Sequence, residues 1–251
     1  MASVSAPELL LLVGAGLVAG TASAMAGGAS LLTFPVLLAL GLPPLSANVT
    51  NTTGLVPTSV GAALASREEL AGRGRRLLFL TPPAIFGALV GAGTLLIAPP
   101  GIFEAIVPFL IAGSSVLLLL QPAIVRRAGE RLAARQDRGA WLGALAASVY
   151  AGYFGAAAAV LFMALVGLFS NESIHELNAM KNVLIGVANG VAAVTFTLAA
   201  PVQWSAVAAL ALGCLAGGAA GVRLARRIPP QPLRWGIAAV GLAVAVWLLV
   251  D

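Results

Sequence analysis

Polar residues fall in a few short clusters along this chain, and the stretches between them are apolar: 8–41, 47–65, 77–98, 103–121, 140–170, 178–200, 203–222 and 233–250. A helix rises about 1.5 Å per residue, so about 20 apolar residues cross the hydrocarbon core of a bilayer. Six of the stretches fit one crossing each. The other two, 8–41 and 140–170, are too long for one crossing, and small residues interrupt both: Gly27-Gly28 in the first, Gly152 to Ala159 in the second. Each predicts two short helical segments in tandem.

Composition turns this pattern into a class. Of 251 residues, 60% are hydrophobic and 9% charged, against about 25% charged in an ordinary soluble domain. So few charges cannot cover a water-soluble globule, and the hydrophobicity excludes disorder. A polytopic membrane protein remains, with the lipid bilayer as its surroundings. The thirteen arginines lie in three clusters, 67–76, 126–138 and 223–234, and the single lysine, Lys181, lies inside an apolar stretch. The net charge of +5 therefore belongs to loops, and no nucleic-acid partner is expected, because no soluble element presents a basic face. One cysteine, Cys214, excludes a disulfide framework or a multi-cysteine metal site. The N-terminal apolar run imitates a secretory signal, but residues 1–8 carry Glu8 and no cation, so it reads as a retained membrane segment.

Basic loops mark the cytoplasmic side. Placing all three arginine clusters there requires the stretch 140–170 to enter the membrane and return. An internal repeat of about 130 residues extends that reading to 8–41. Thr50-Asn51 aligns with Lys181-Asn182, Gly87-x-x-x-Gly91 with Gly217-x-x-x-Gly221, and Pro99-Pro100 with Pro229-Pro230. The first double proline is followed by Glu104, while the second is flanked by Arg226, Arg227 and Arg234. Equivalent loops of opposite charge bias should face opposite sides, as in inverted-topology repeats. The expected organisation is a first repeat over 1–125, a cytoplasmic linker over 126–139 and a second repeat over 140–251. Both termini are expected outside.

Transporters built this way bind substrate near the midplane, at interrupted segments in equivalent positions. Lys181 is the sharpest candidate. Ser173 and Glu176 form a capping box at a helix start, which puts Lys181 roughly 10 Å inside the helix, where a cation marks a substrate or ion path. Around it lie Asn178, Asn182 and Asn189; the first half has Asn48, Thr50, Asn51, Thr52 and Thr53. Amides and hydroxyls can bind oxyanion oxygens, or can equally serve as hydrogen-bond glue between helices. Gly27, Gly28 and Ser30 open the second short segment of the first half, and Gly155 does so in the second. Backbone N–H groups freed there attract anions. His175 and Glu176 are candidates for a proton relay, although capping and solvation explain them too. No catalytic constellation, metal-ligand cluster or cofactor fingerprint is present, so neither an enzyme nor a bound cofactor is expected.

Two segments carry a family resemblance. Residues 20–51, with Gly-Thr-Ala-Ser-Ala-Met-Ala-Gly-Gly-Ala-Ser-Leu-Leu-Thr-Phe-Pro, then Gly41-Leu-Pro-Pro and Ala47-Asn-Val-Thr-Asn, resemble the first signature of the TauE/SafE sulfite exporter family. Residues 150–182, with Tyr-Ala-Gly-Tyr-Phe-Gly-Ala-Ala-Ala-Ala-Val-Leu and then Asn178-Ala-Met-Lys-Asn182, resemble its second. The alanine run Ala156 to Ala159 departs from the more glycine-rich pattern of relatives. The resemblance implies a permease of the bacterial inner membrane for small sulfur-containing anions such as sulfite, sulfoacetate or another organosulfonate, with direction differing among members.

The combined expectation is an all-α polytopic membrane protein of two inverted repeats, each a helical hairpin of short segments plus three crossings. It would carry an anion, with export favoured, and could form a homo-oligomer. An anion channel, a proton-coupled uptake permease and a structural subunit are the alternatives.

Overall fold

The computed structural model describes residues 5–130 and 137–250. Regular structure among them is helical throughout: α1 (Ala6–Met25), α2 (Ser30–Ala39), α3 (Pro44–Ala65), α4 (Arg67–Leu70), α5 (Gly74–Ile97), α6 (Pro100–Glu130), α7 (Asp137–Tyr153), α8 (Ala158–Gly167), α9 (Ile174–Ala199), α10 (Trp204–Ala225) and α11 (Gln231–Val250). The linker expected at 126–139 is helical at both edges, where α6 ends and α7 begins; residues 131–136 lie outside the described residues.

Both overlong stretches divide at the small residues, as the sequence predicts. Their limbs are unequal, however, which corrects the expectation of two short segments. The first limbs, α1 and α7, have 20 and 17 residues, and the second limbs, α2 and α8, have 10 each. At about 1.5 Å per residue a ten-residue helix reaches only half-way through a hydrocarbon core. Among the described residues six helices are long and apolar enough to cross a membrane: α1, α5, residues 101–124 of α6, α9, α10 and α11. At 22 residues α3 is long enough, but it is not among them. Asn48, Thr50, Asn51 and Thr52 make its first half polar, and all four are buried inside the protein.

Ion pairs gather several helix ends on one face. Arg73 pairs with Glu176, Arg76 Nη1 lies 2.6 Å from Asp137 Oδ1 and its Nε 3.4 Å from Glu172 Oε1, and Arg226 Nη2 lies 2.7 Å from Glu69 Oε1. The start of α7 and the approach to α9 therefore share a face, so α7 and α8 leave that face and return to it. At the other end Ser46 Oγ donates to the Pro201 carbonyl (2.8 Å), and the Gln203 N–H donates to Thr50 Oγ1 (3.0 Å).

The two halves exchange helices. α10 packs along α1, and α5 packs along α7, through glycines that let backbones touch. A Cβ on Gly213, Gly217 or Gly221 would collide with the carbonyls of Val13, Leu17 and Thr21 in turn. A Cβ on Gly87 would meet the Leu145 carbonyl at 2.6 Å, and one on Gly91 would collide with that of Val149. Residue numbers rise together along both pairs, so both run parallel. Apolar side chains gain little by leaving lipid for a neighbouring helix, and close packing by small residues has to hold such pairs. Of Gly14 and Gly16, only Gly16 is such a contact, against Leu210 and Cys214. Cys214 is fully buried beside Ala19, Ala29 and Leu55, as a small packing residue.

Candidate functional site

The breaks after α1 and α7 meet inside the protein. Gly27 and Gly28 both take left-handed backbone conformations, with φ of +85° and +87°, which glycine adopts without steric penalty. A Cβ on Gly27 would lie 3.2 Å from the Ala159 Cβ across the junction. In the second half Gly155 has φ +77°. Ala157, in the alanine run, takes φ +58°. An L-residue pays roughly 1–2 kcal/mol in that region, so the alanine run keeps the shape of the break and carries strain that glycine would not.

Each break separates two kinds of helix end. The last turn of α1 exposes carbonyls, and the first turns of α2 and α8 expose N–H groups. Lys181 of α9 projects to the carbonyl side. Its Nζ donates to the Ser23 carbonyl at 3.3 Å and to Asn178 Oδ1 at 2.9 Å, and Asn178 Nδ2 in turn donates to the Ala24 carbonyl at 3.3 Å. Lys181 is only 2% exposed. No carboxylate pairs with it among the described residues. A helix C-terminus favours a cation, and this one supplies one of the ammonium's two acceptors, the Ser23 carbonyl.

Beside the ammonium is a cavity of about 480 Å³, its open part included, lined by Ser23, Gly28, Ser30, Thr58, Gly155, Lys181, Asn182 and Asn189 among others. No acidic residue lines it. Among the described backbone bonds, the N–H groups of Gly28, Ala29 and Ser30 reach no carbonyl. Asn182 is 6% exposed and its Nδ2 has no partner. Lys181 Nζ has two acceptors and three protons, and Ser30 Oγ accepts a bond from Asn51 Nδ2 at 3.0 Å, which leaves its own proton to donate. The cavity thus presents one cation and several unspent donors. Such a lining complements an oxyanion.

Sequence-predicted candidates divide by position. Lys181, Asn182, Gly28, Ser30 and Gly155 line the cavity, and Gly27 forms the turn behind it. Asn178 reaches it through Lys181. Asn51 does not face the cavity: it holds Ser30 and accepts from Thr33 Oγ1, fixing the start of α2. Asn48 Nδ2 donates to the Tyr153 carbonyl at 3.0 Å, tying α3 to the second break. Thr50 receives the Gln203 N–H at the far end. Glu176 caps α9 through the Ser173 N–H (2.8 Å) and pairs with Arg73; His175 is exposed beside it and lines a different cavity. Neither touches the Lys181 cavity.

Ser23, Thr58 and Ser59 line the cavity without having stood out in the sequence. Ser23 contributes its carbonyl to Lys181, which no residue type signals. Thr58 and Ser59 sit one turn beyond the polar cluster of α3, and their spacing of seven and eight residues from Asn51 was the available sign.

The aligned pair Asn51 and Asn182 shows why the halves differ. Asn51 is satisfied by Ser30 and Thr33 of α2. The aligned positions of α8 are Leu161 and Ala164, which have no hydroxyl, and Asn182 is left open to the cavity.

The family described as Sulfite exporter TauE/SafE matches residues 12–248. A Haemophilus influenzae protein named "Probable membrane transporter protein" is 30% identical over 116 residues, which is 46% of this chain and 46% of that protein; the likeness spans about half the length of the relative. No solved structure matches the chain. With the family match covering nearly all of its length and six helices able to cross a bilayer, this chain is a multi-pass membrane protein that belongs to the sulfite exporter TauE/SafE family.

Proposed function

We propose that the protein is a secondary transporter that carries a small sulfur-containing anion, such as sulfite or an organosulfonate, across the bacterial inner membrane, bound between the two interrupted hairpins. The observation that carries this reading is the buried Lys181 ammonium, held by the carboxyl end of α1 beside a cavity of unspent donors and no acid. Lys181 supplies the attracting charge. Asn182, Ser30 and the N–H groups of Gly28 and Ala29 bind oxygens. Asn51, Asn178 and Asn48 position those groups.

The exchanged parallel pairs α1/α10 and α5/α7 support reading the halves as inverted repeats. Each half contributes one helix to each pair, so rocking one pair against the other would open the site to alternate sides. We read the face that carries the arginine clusters as cytoplasmic, which puts both termini outside. Cysteines at Glu104 and Arg75 test this: an impermeant maleimide added to intact cells should label the first and spare the second, and the reverse pattern refutes the orientation. Export suits the cavity, since an inside-negative potential of 100 mV drives a departing monoanion by about 2.3 kcal/mol and no lining carboxylate is needed to carry a proton.

The direct test is sulfite flux in proteoliposomes. Wild-type protein should move sulfite saturably, and Lys181→Gln should lower the rate at least tenfold while eluting as a folded species. Undiminished flux in the folded variant removes Lys181 from the mechanism.

A further inference from the structure

A second cavity lies on the ion-paired side of the first. It measures about 1030 Å³ with its open mouth, and its lining includes Met25, Gln121, His175, Asn178 and Arg234. Four features set it apart from a lipid-filled crevice. Arg234 is half-buried and has no carboxylate within ion-pair distance among the described residues, whereas Arg73, Arg76 and Arg226 on the same face are paired. Arg234 Nε is buried with no hydrogen-bond partner. Gln121 is 3% exposed and its Oε1 is likewise unpartnered, so that amide can turn either end to a ligand. No acidic residue lines the cavity. A guanidinium whose Nε is buried without a partner is costly, and its fork of donors matches two oxygens of one oxyanion.

Asn178 joins the two cavities. It lines this one, and its Oδ1 accepts from Lys181 Nζ, which lines the other.

We propose that this cavity is a second oxyanion site, in series with the Lys181 site, where Arg234 holds an inorganic oxyanion or the phosphate of an anionic lipid before Asn178 and Lys181. The order in series rests on reading the Lys181 cavity as an anion site; the Arg234 site does not. An anion held at Arg234 raises the local concentration of anion at the inner cavity.

The experiment is calorimetric titration of sodium sulfite, and separately of sodium sulfate and phosphate, into purified protein in nanodiscs of phosphatidylcholine. Wild type should take up two oxyanions. Arg234→Gln should take up one, and Arg234→Lys should retain two with the second at least threefold weaker; size-exclusion elution verifies that both are folded. Lys181→Gln should also take up one, and the double variant none. Adding phosphatidylglycerol to the nanodiscs identifies the source: a fall from two to one in wild type, with Arg234→Gln unchanged at one, makes the occupant a lipid phosphate, and no change makes it a soluble anion. Either result supports the site. Folded Arg234→Gln with the wild-type stoichiometry overturns this inference and leaves the Lys181 site standing. Loss in Arg234→Gln but not in Lys181→Gln overturns the central site and leaves this one. A wild type that takes up no oxyanion in phosphatidylcholine overturns both.

Discussion

The Lys181 ammonium donates to the Ser23 carbonyl, 3.3 Å away, in the last turn of a helix 158 positions earlier in the chain. That contact makes the cation tolerable. The ammonium sits at the negative end of α1, and Asn178 both accepts from it and donates to the neighbouring Ala24 carbonyl. The N–H ends of α2 and α8 open on the other side of the breaks. One discontinuity thus holds a cation with the Ser23 carbonyl and leaves amide donors facing the cavity.

Charge alone should not suffice at position 181. A guanidinium is larger and planar and cannot reproduce the compact contacts of an ammonium, and the site is nearly closed to solvent. Lys181→Arg should therefore lose sulfite flux about as severely as Lys181→Gln. Wild-type flux in Lys181→Arg would show that the fit of the ammonium is unimportant.

The aligned asparagines should separate stability from binding. Asn51→Ala leaves Ser30 without its buried donor, at about 1–3 kcal/mol, and should lower the midpoint of thermal unfolding. Asn182→Ala removes no bond within the protein and should leave that midpoint nearly unchanged. It should weaken sulfite binding by about tenfold, the equivalent of one hydrogen bond to a charged group. Both effects can be read from thermal unfolding with and without sulfite.

Strain at the second break should be removable. Ala157→Gly relieves a left-handed alanine and should stabilise the protein by about 1 kcal/mol, seen as a higher unfolding midpoint. A lower midpoint would mean that the Ala157 methyl group, buried at 1% exposure, contributes more packing than its backbone loses.

The ion-paired face should weaken in acid. The Glu176 carboxylate accepts from the Ser173 N–H and pairs with Arg73. The pairing needs the ionised carboxylate, so it is lost when acid protonates it. Wild type should lose thermal stability in acid more steeply than Glu176→Gln. Parallel profiles for the two proteins would show that the pairing with Arg73 adds nothing in solution.

What the sequence determined by itself is what depends on local composition. The length of each apolar run fixed the helices, because a bilayer demands about 20 residues and satisfied backbone groups. Gly27-Gly28 and Gly155 fixed the breaks, because left-handed backbone selects glycine. Ser173 and Glu176 fixed the start of α9, and Lys181 stood out as the one lysine among apolar residues. Where the polar groups of α3 and α9 point depends instead on the helices that pack against them. Asn51 and Asn182 align and look alike as sequence. One turns to the hydroxyls of α2, and the other, facing a helix without hydroxyls, turns to the cavity. By residue type Thr50 and Asn48 could equally bind a ligand, and it is their partners, the Gln203 N–H and the Tyr153 carbonyl, that occupy them. Those partners lie more than 100 residues away, and a helical period gives a residue's face on its own helix but not the helix it meets.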